Sequence, residues 1–145
     1  MSGRATLIGG AIEAIVMWSR VMDSHRMIPF GELNLSRAQL EVLFHIAHSP
    51  SPATPGAIAA RLGVTAGAVT QLVAGLSDLG LVRQDRDTVD GRRRLLVLEP
   101  TAQQQVAGFE QAIINELSPR FDGLSDAELA TLTGLLARTT SEATR

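Results

Sequence analysis

Residues 54–72, TPGAIAARLGVTAGAVTQL, have the spacing of two short helices that cross at a steep angle. Ala59 is small where the helices would touch. Gly63 stands where the first helix must end in a left-handed turn that a side chain disfavours. Apolar residues recur at helical intervals on the side expected to face inward: Ile58, Leu62, Val64, Val69 and Leu72. The pattern predicts a helix-turn-helix.

The side chains on the outward side of the second helix of this pair are predicted to be short and nearly uncharged. This side consists of Thr65, Ala66, Gly67, Thr70 and Gln71. Such a surface can lie flush in a DNA major groove, which is about 12 Å wide. Gly67 costs about 1 kcal/mol in helix propensity, and a close backbone approach to DNA or to the preceding helix would compensate. Binding of a protein instead of DNA is the alternative for this motif.

A β-hairpin is predicted after the helix pair. Residues 81–86 and 94–98 have a shortened apolar period and flank the polar span 87–92, which indicates two strands and an exposed tip. Because alternate side chains of a strand point to opposite faces, Arg93 should diverge from Arg92 and Arg94. We expect Arg92 in a DNA groove and Arg94, rather than Arg93, on phosphate. A solvated run of charge is the alternative for these three arginines.

Long helices are expected on both sides of this segment. The first covers about residues 7–27, and the second should pack through an apolar stripe of Leu40, Leu43, Phe44 and Ala47. The predicted helix starts are Ser36 with Gln39, Thr54 followed by Pro55, Thr65, Pro100 together with the capping pair Thr101 and Gln104, and Ser125 with Glu128.

The order of elements resembles the MarR family of bacterial transcriptional regulators over essentially the whole chain. The hairpin carries the most specific match, where Gly80-Leu81-Val82 is followed by Asp90-Gly91-Arg92 and Leu95-Leu96-Val97-Leu98. The resemblance implies that Arg92 enters a minor groove and that Asp90 orients it and contacts the wing. The sequence departs from the family pattern at Leu98-Glu99-Pro100-Thr101, and at Gln84 and Asp85, where the family strand often carries basic residues.

The fold implied is mainly α: a winged helix-turn-helix with a two-stranded β-wing and N- and C-terminal dimerisation helices. A single domain would span residues 1–145, with a DNA-binding lobe at about 36–99 and dimerisation helices at about 1–30 and 101–145. A winged helix is complete without these terminal helices, so their apolar faces must pack elsewhere. A two-fold homodimer supplies the missing surface.

The expected function is sequence-specific binding of double-stranded DNA by a homodimeric transcriptional repressor or activator acting on a pseudo-palindromic operator. The candidate DNA-binding residues are Thr65, Ala66, Gly67, Thr70, Gln71, Asp90, Arg92, Arg93 and Arg94. The alternative function is a winged-helix scaffold that dimerises and binds protein without binding DNA. A small-molecule enzyme is a distant third alternative.

A small aromatic or lipophilic ligand is a further expected partner, because proteins that resemble this family often admit one between the dimer helices and the DNA-reading lobe. The candidate ligand-binding residues are Trp18, Met22, Phe30, Phe44 and His45. Core packing is the alternative for each of them. Glu41 and His45 have a spacing that can hold a metal, but no second acid-histidine cluster follows, so neither a metal nor a cofactor is expected. His25 and His48 are interpreted as solvated or core histidines.

Composition narrows the classes of protein. The chain has no cysteine, which excludes disulfide scaffolds, thiolate metal sites and thiol-based redox switches. Its net charge is -2, yet residues 61–95 carry six arginines against four aspartates, as a local DNA footprint would. No catalytic motif is recognisable, so we expect a non-enzyme. Because Glu13 and Arg20 interrupt the apolar N-terminal run, we expect no membrane span and a cytoplasmic protein, associated with the nucleoid when bound to DNA.

Overall fold

The computed structural model describes residues 2–24, 30, 32–49 and 52–141. In order, its elements are α1 (Gly3–Ser24), α2 (Arg37–Ala47), α3 (Pro55–Leu62), α4 (Ala66–Asp78), β1 (Val82–Arg86), β2 (Arg94–Leu98), α5 (Pro100–Leu117) and α6 (Asp126–Ser141). A short 3₁₀-helix, Ser118–Phe121, separates α5 from α6. The strands form a two-stranded antiparallel sheet. The predicted mainly α winged helix-turn-helix with a two-stranded wing is confirmed.

The chain divides into two compact units, Met1–Gln111 and Ala112–Arg145. The first unit contains the helix-turn-helix and the hairpin, and the second contains α6. The division falls within α5, and the expected organisation as one domain over residues 1–145 stays a prediction. The assignment of the outer helices to dimerisation stays a prediction.

A single hydrophobic cluster organises the first unit. It joins α2, α3, α4, the hairpin and the start of α5, and its buried members include Val42, Leu43, Ile58, Val69, Val73, Leu76, Leu96, Leu98 and Ala102. Burial of apolar surface at about 25 cal/mol per Å² makes this cluster the main stabilising contribution to the unit. The helix-turn-helix and the wing therefore share one core.

Most of the predicted helix starts are confirmed by hydrogen bonds. The Ser36 hydroxyl accepts from the backbone N–H of Gln39 at 3.1 Å, and the Gln39 side chain accepts from the Ser36 N–H at 2.9 Å. Thr54 and Thr65 each accept from the N–H three residues on, at 3.2 and 3.1 Å. The Ser125 and Glu128 pair is reciprocal as well.

The predicted cap at Thr101 is wrong. Helix α5 begins at Pro100, so Thr101 already lies within its first turn. Proline has no backbone N–H to leave unpaired, and its fixed φ suits the first helical position. The proline therefore sets this helix start, and the Thr101 and Gln104 spacing does not.

The turn of the helix-turn-helix has the predicted geometry. The chain direction changes by 113° between α3 and α4, and Gly63 adopts the left-handed conformation at φ 67°. Ala59 is buried at the contact, as are Ile58 and Val69. Val64 was expected to face inward but is 43% exposed. Val64 lies in the turn between α3 and α4, so its orientation does not follow the helical period from which it was predicted.

Helix α2 is rotated relative to the predicted stripe. Leu43 is buried as expected, but Phe44 is 50% exposed, and Ala47 is exposed as well. Val42 is buried, and Ile46 packs against the cluster in their place. The orientation of α2 is set by its contacts with α4 and β2, which periodicity within α2 cannot reveal.

Helix α1 is longer and more continuously apolar than the interruptions at Glu13 and Arg20 predicted. It is 22 residues long and contains an 18-residue window of mean hydropathy 1.3, none of it buried. Two charged residues, Glu13 and Arg20, still leave this helix long enough and apolar enough to cross a bilayer. A helix that packs its apolar face on protein can have the same length and hydropathy, so these two properties do not by themselves place α1 in a membrane.

Candidate nucleic-acid interface

Helix α4 has one apolar side and one neutral polar side. Val69, Val73 and Leu76 have no exposed surface, whereas Ala66, Gly67, Thr70 and Gln71 are exposed on the opposite side. The Thr70 hydroxyl donates to the Ala66 carbonyl at 2.9 Å, and its lone pairs stay available as acceptors. Within the described part of the chain, the Gln71 side chain has no hydrogen-bond partner. The outward side is therefore free to meet a ligand surface.

Gly67 leaves open space beside α4. A Cβ built at this residue would have the Thr65 hydroxyl oxygen, at 4.0 Å, as its nearest neighbour among the described atoms outside the local backbone. The preceding helix consequently does not require glycine here. Close approach of the α4 backbone to DNA, the other explanation that the sequence offered, stays a prediction.

The N-terminus of α4 is suited to an anion. The Thr65 hydroxyl satisfies the Ala68 N–H, and α4, which is described throughout, has no acidic residue in its first turn. The remaining first-turn N–H groups and the positive end of the helix dipole favour a negatively charged group.

The hairpin is attached to the core through one of its faces. Val82 lies opposite Leu98, and Gln84 lies opposite Leu96. Val82, Leu96 and Leu98 are buried. The Leu96 N–H also donates to the Ala53 carbonyl at 2.8 Å, which ties β2 to the segment just before α3. The wing is thus fixed beside the helix-turn-helix.

Two aspartates shape the wing tip. The Asp90 carboxylate accepts from the Arg92 backbone N–H at 3.1 Å, and the Asp90 carbonyl accepts from the Arg93 N–H at 2.9 Å. The Asp87 carboxylate accepts from the Val89 N–H at 2.9 Å. Asp90 therefore orients the backbone of Arg92 rather than its guanidinium. Sequence reasoning missed Asp87, although an aspartate two residues before the bonded N–H is a common turn signal.

The tip arginines differ in their partners. Arg93 Nη1 lies 3.8 Å from Asp87 Oδ2, and Arg94 Nη1 donates to Gln84 Oε1 at 3.2 Å. The guanidinium of Arg92 has no ion-pair partner among the described residues. Strand alternation does not set the directions of Arg92 and Arg93, because β2 begins only at Arg94. Arg92 is the tip arginine available to an outside anion.

The five candidate ligand-binding residues are not brought together in one described cavity. Phe30 is buried, and its ring centroid lies 5.8 Å from that of Phe109, so Phe30 is part of the core. The Phe44 ring lies 4.5 Å from that of His48 and 6.1 Å from that of His45. Trp18 is half-buried, and Met22 is 44% exposed.

A groove of about 640 Å³ lies elsewhere, between the end of α2, β2 and α5. None of the five candidates lines it, and His48 contacts Glu110 at its rim. Ligand binding by Trp18, Met22, Phe44 and His45 stays a prediction.

The histidines show no metal site in the part of the chain that the structure describes, where no group of three histidine or carboxylate side chains comes together. Burial lowers the pKa of His45, and the nearby positive charge of Arg61 lowers it further. His45 is therefore held toward its neutral form. His25 lies outside the described residues.

Comparison with known sequences identifies a family and a relative that this chain resembles. A sequence model of the MarR family matches residues 33–93. A proposed transcriptional regulatory protein for the hcr operon of Thauera aromatica is 34% identical over 93 residues, which cover 64% of this chain and 55% of that protein. The match thus spans about half the length of that relative.

Solved structures share the fold. A MarR family protein from Bacillus stearothermophilus superposes with a TM-score of 0.75 at 16% identity, covering 100% of both chains. The transcriptional regulator BldR from Sulfolobus solfataricus gives 0.70 at 23% identity, over 95% of this chain and 99% of BldR. A MarR protein from Peptoclostridium difficile gives 0.70 at 21%, over 92% and 87%. At these identities the likeness establishes the fold.

Proposed function

This chain belongs to the MarR family through its segment 33–93, and from that premise we propose that it binds double-stranded DNA and regulates transcription. The observation that carries the proposal is the combination of a neutral, exposed α4 surface with an unpaired arginine, Arg92, at the tip of a wing fixed to the same core. Each feature fits a different groove of DNA.

Helix α4 is the proposed reading helix in the major groove. Backbone N–H groups at its start, beside Thr65, would contact phosphate. Thr70 and Gln71 would reach base edges, and a glutamine amide pairs best with adenine. The small side chains of Ala66 and Gly67 allow the helix backbone to approach the groove closely. Because α4 offers no charge on this side, much of the affinity is assigned to the wing.

The wing is the proposed minor-groove contact. Arg92 would insert where A·T pairs narrow the groove and deepen its negative potential. Asp90 supports it by fixing the Arg92 backbone. Arg94 is assigned the supporting contact with phosphate, after release from Gln84, and Arg93, which pairs with Asp87, is the secondary candidate.

A homodimer is the proposed working form. In the first unit, α1 exposes the apolar residues Leu7, Ile8, Ile12, Ile15, Val16, Met17 and Met22. In the second unit, α6 exposes Leu132, Leu135 and Leu136. Exposed apolar surface of this extent favours association. A two-fold dimer would present two reading helices to half-sites about one helical turn, roughly 10 bp, apart on a pseudo-palindromic operator.

The test is selection of bound duplexes from a random pool, followed by titration of the selected duplex at several salt concentrations. We expect two-fold symmetric sites, and log K that falls against log salt with a slope of about -0.9 for each phosphate contacted. A matched duplex with scrambled half-sites is the control. Failure to bind any duplex in dilute buffer would contradict the proposal and favour the protein-binding scaffold, whose apolar interface responds little to salt.

Regulation by a small aromatic or lipophilic ligand is the finer part of the proposal. Trp18 is half-buried, and exposed apolar side chains such as Met22 and Phe44 remain for a ligand to cover. The ligand would release DNA only by favouring one arrangement of the two reading heads. We expect Trp18 fluorescence to change on titration with phenolic acids or lipophilic drugs, and no response across such a panel would count against it.

Members of this family are generally not enzymes and are generally cytoplasmic, and we assign this protein the same character. No metal or cofactor enters the proposal. DNA is the macromolecular partner, together with a second copy of the chain.

A further inference from the structure

The outer face of the wing stem carries an arginine held by two carboxylates. The register Arg83↔Val97 and Asp85↔Leu95 puts both charged residues on the face opposite to the buried residues of β2. Arg83 Nε lies 3.2 Å from Oδ1 and 3.3 Å from Oδ2 of Asp85. Arg83 Nη1 lies 3.8 Å from Glu99 Oε2. This arginine therefore faces two negative groups.

The same arginine is accessible from solution. The side chain of Arg83 is 47% exposed, and that of Asp85 is 43% exposed. A guanidinium has a fixed set of N–H donors, and a carboxylate and a phosphate compete for them. Asp85 takes up the Nε donor of Arg83 and offsets its positive charge, so Arg83 attracts a DNA phosphate less strongly while the pair is formed. Arg92, by contrast, has no carboxylate to release among the described residues.

We propose that Asp85 limits the affinity of this protein for DNA by pairing with the guanidinium of Arg83 and offsetting its charge. The inference rests on the proposed DNA-binding function and adds to it a residue that opposes binding. The wing stem then contributes little phosphate contact, and the tip arginine dominates. The effect is independent of DNA sequence, because a phosphate contact carries no base information.

A simpler effect must be separated from this one. Removing any surface carboxylate strengthens the attraction of a protein for DNA through its overall field. That effect does not depend on Arg83. Release of Arg83 does depend on it, so the two are distinguished by a double substitution.

The experiment measures binding of Asp85→Asn to the selected duplex and to a 30-bp duplex of mixed sequence. One added phosphate contact predicts a salt slope steeper by about 0.9 and affinity about fivefold tighter at 0.15 M salt on both duplexes. Asp78→Asn is the matched control, since Asp78 is exposed near the end of α4 and has no ion pair within the described residues. We expect it to give a smaller gain and an unchanged slope.

The double variant Arg83→Gln with Asp85→Asn decides the mechanism. We expect it to exceed Arg83→Gln alone by no more than Asp78→Asn exceeds the wild type, with circular dichroism confirming that each variant is folded. An about fivefold gain with a steeper salt slope that persists without Arg83, or an Asp85→Asn protein that binds like the wild type, would overturn the inference alone. A wild-type protein that binds no duplex would remove the proposed function and this inference together.

Discussion

Arg92→Ala is expected to weaken binding to the selected duplex by about 1 to 3 kcal/mol, the usual range for an arginine that contacts a groove. The guanidinium of Arg92 has no ion pair to break within the described residues. Its backbone is already fixed by Asp90 at 3.1 Å. Little free energy is therefore needed to prepare the Arg92 side chain for the groove. Removing this side chain should cost nearly all the binding free energy that its contact contributes. Fluorescence anisotropy of a labelled duplex at constant salt measures the change.

Arg37→Ala supplies the control for that substitution. Arg37 is an exposed arginine on α2, outside the wing, that pairs with Glu41 at 3.0 Å. We expect its variant to bind the duplex with nearly wild-type affinity. Equal losses for the two variants would assign the effect to overall charge. Unchanged affinity of folded Arg92→Ala would remove Arg92 from the proposed role.

Leu76→Ala is expected to lower the free energy of unfolding by about 2 to 5 kcal/mol. Leu76 lies on the inward side of α4 and has no exposed surface. Truncation removes buried methyl groups and leaves a cavity that close-packed neighbours fill only in part. Urea denaturation followed by circular dichroism, at one fixed protein concentration, measures the loss.

Leu79→Ala is the matched control on the same turn of chain. Leu79 follows α4 as its C-cap and is 44% exposed, so its truncation should change stability by about 0.5 kcal/mol or less, as is usual for surface positions. A Leu76→Ala protein as stable as the Leu79→Ala protein would show that the packing of α4 has been misassigned.

The elements that the sequence predicted correctly depend on neighbouring residues. A serine or threonine cap acts on an N–H three residues away, and the left-handed turn at Gly63 is a property of one residue. The hairpin follows from alternation along two short strands. Pro100 also acts locally, and its preference for a first helical position outweighs a capping pair one residue later.

The features that the sequence did not reveal depend on distant residues. The rotation that buries Val42 and exposes Phe44 reflects how α2 meets α4 and β2. Val64 shows that a periodic pattern cannot be carried through a turn.

The candidate site likewise has features that depend on neighbouring residues and features that depend on distant ones. The exposed side of α4 is predictable from period alone, since Val69 and Val73 fix the opposite side. Which of the three tip arginines stays unpaired cannot be predicted in this way. The strand register brings Gln84 to Arg94, and the tip turn brings Asp87 to Arg93.

The bond between Leu96 and Ala53 restricts how this protein can be switched. A hairpin anchored in the middle of its second strand cannot swing about its base as a separate arm. The base of the wing is then held at one position beside the helix-turn-helix. In the proposed dimer, a signal that releases DNA would therefore have to reposition a whole DNA-binding lobe and not the wing alone.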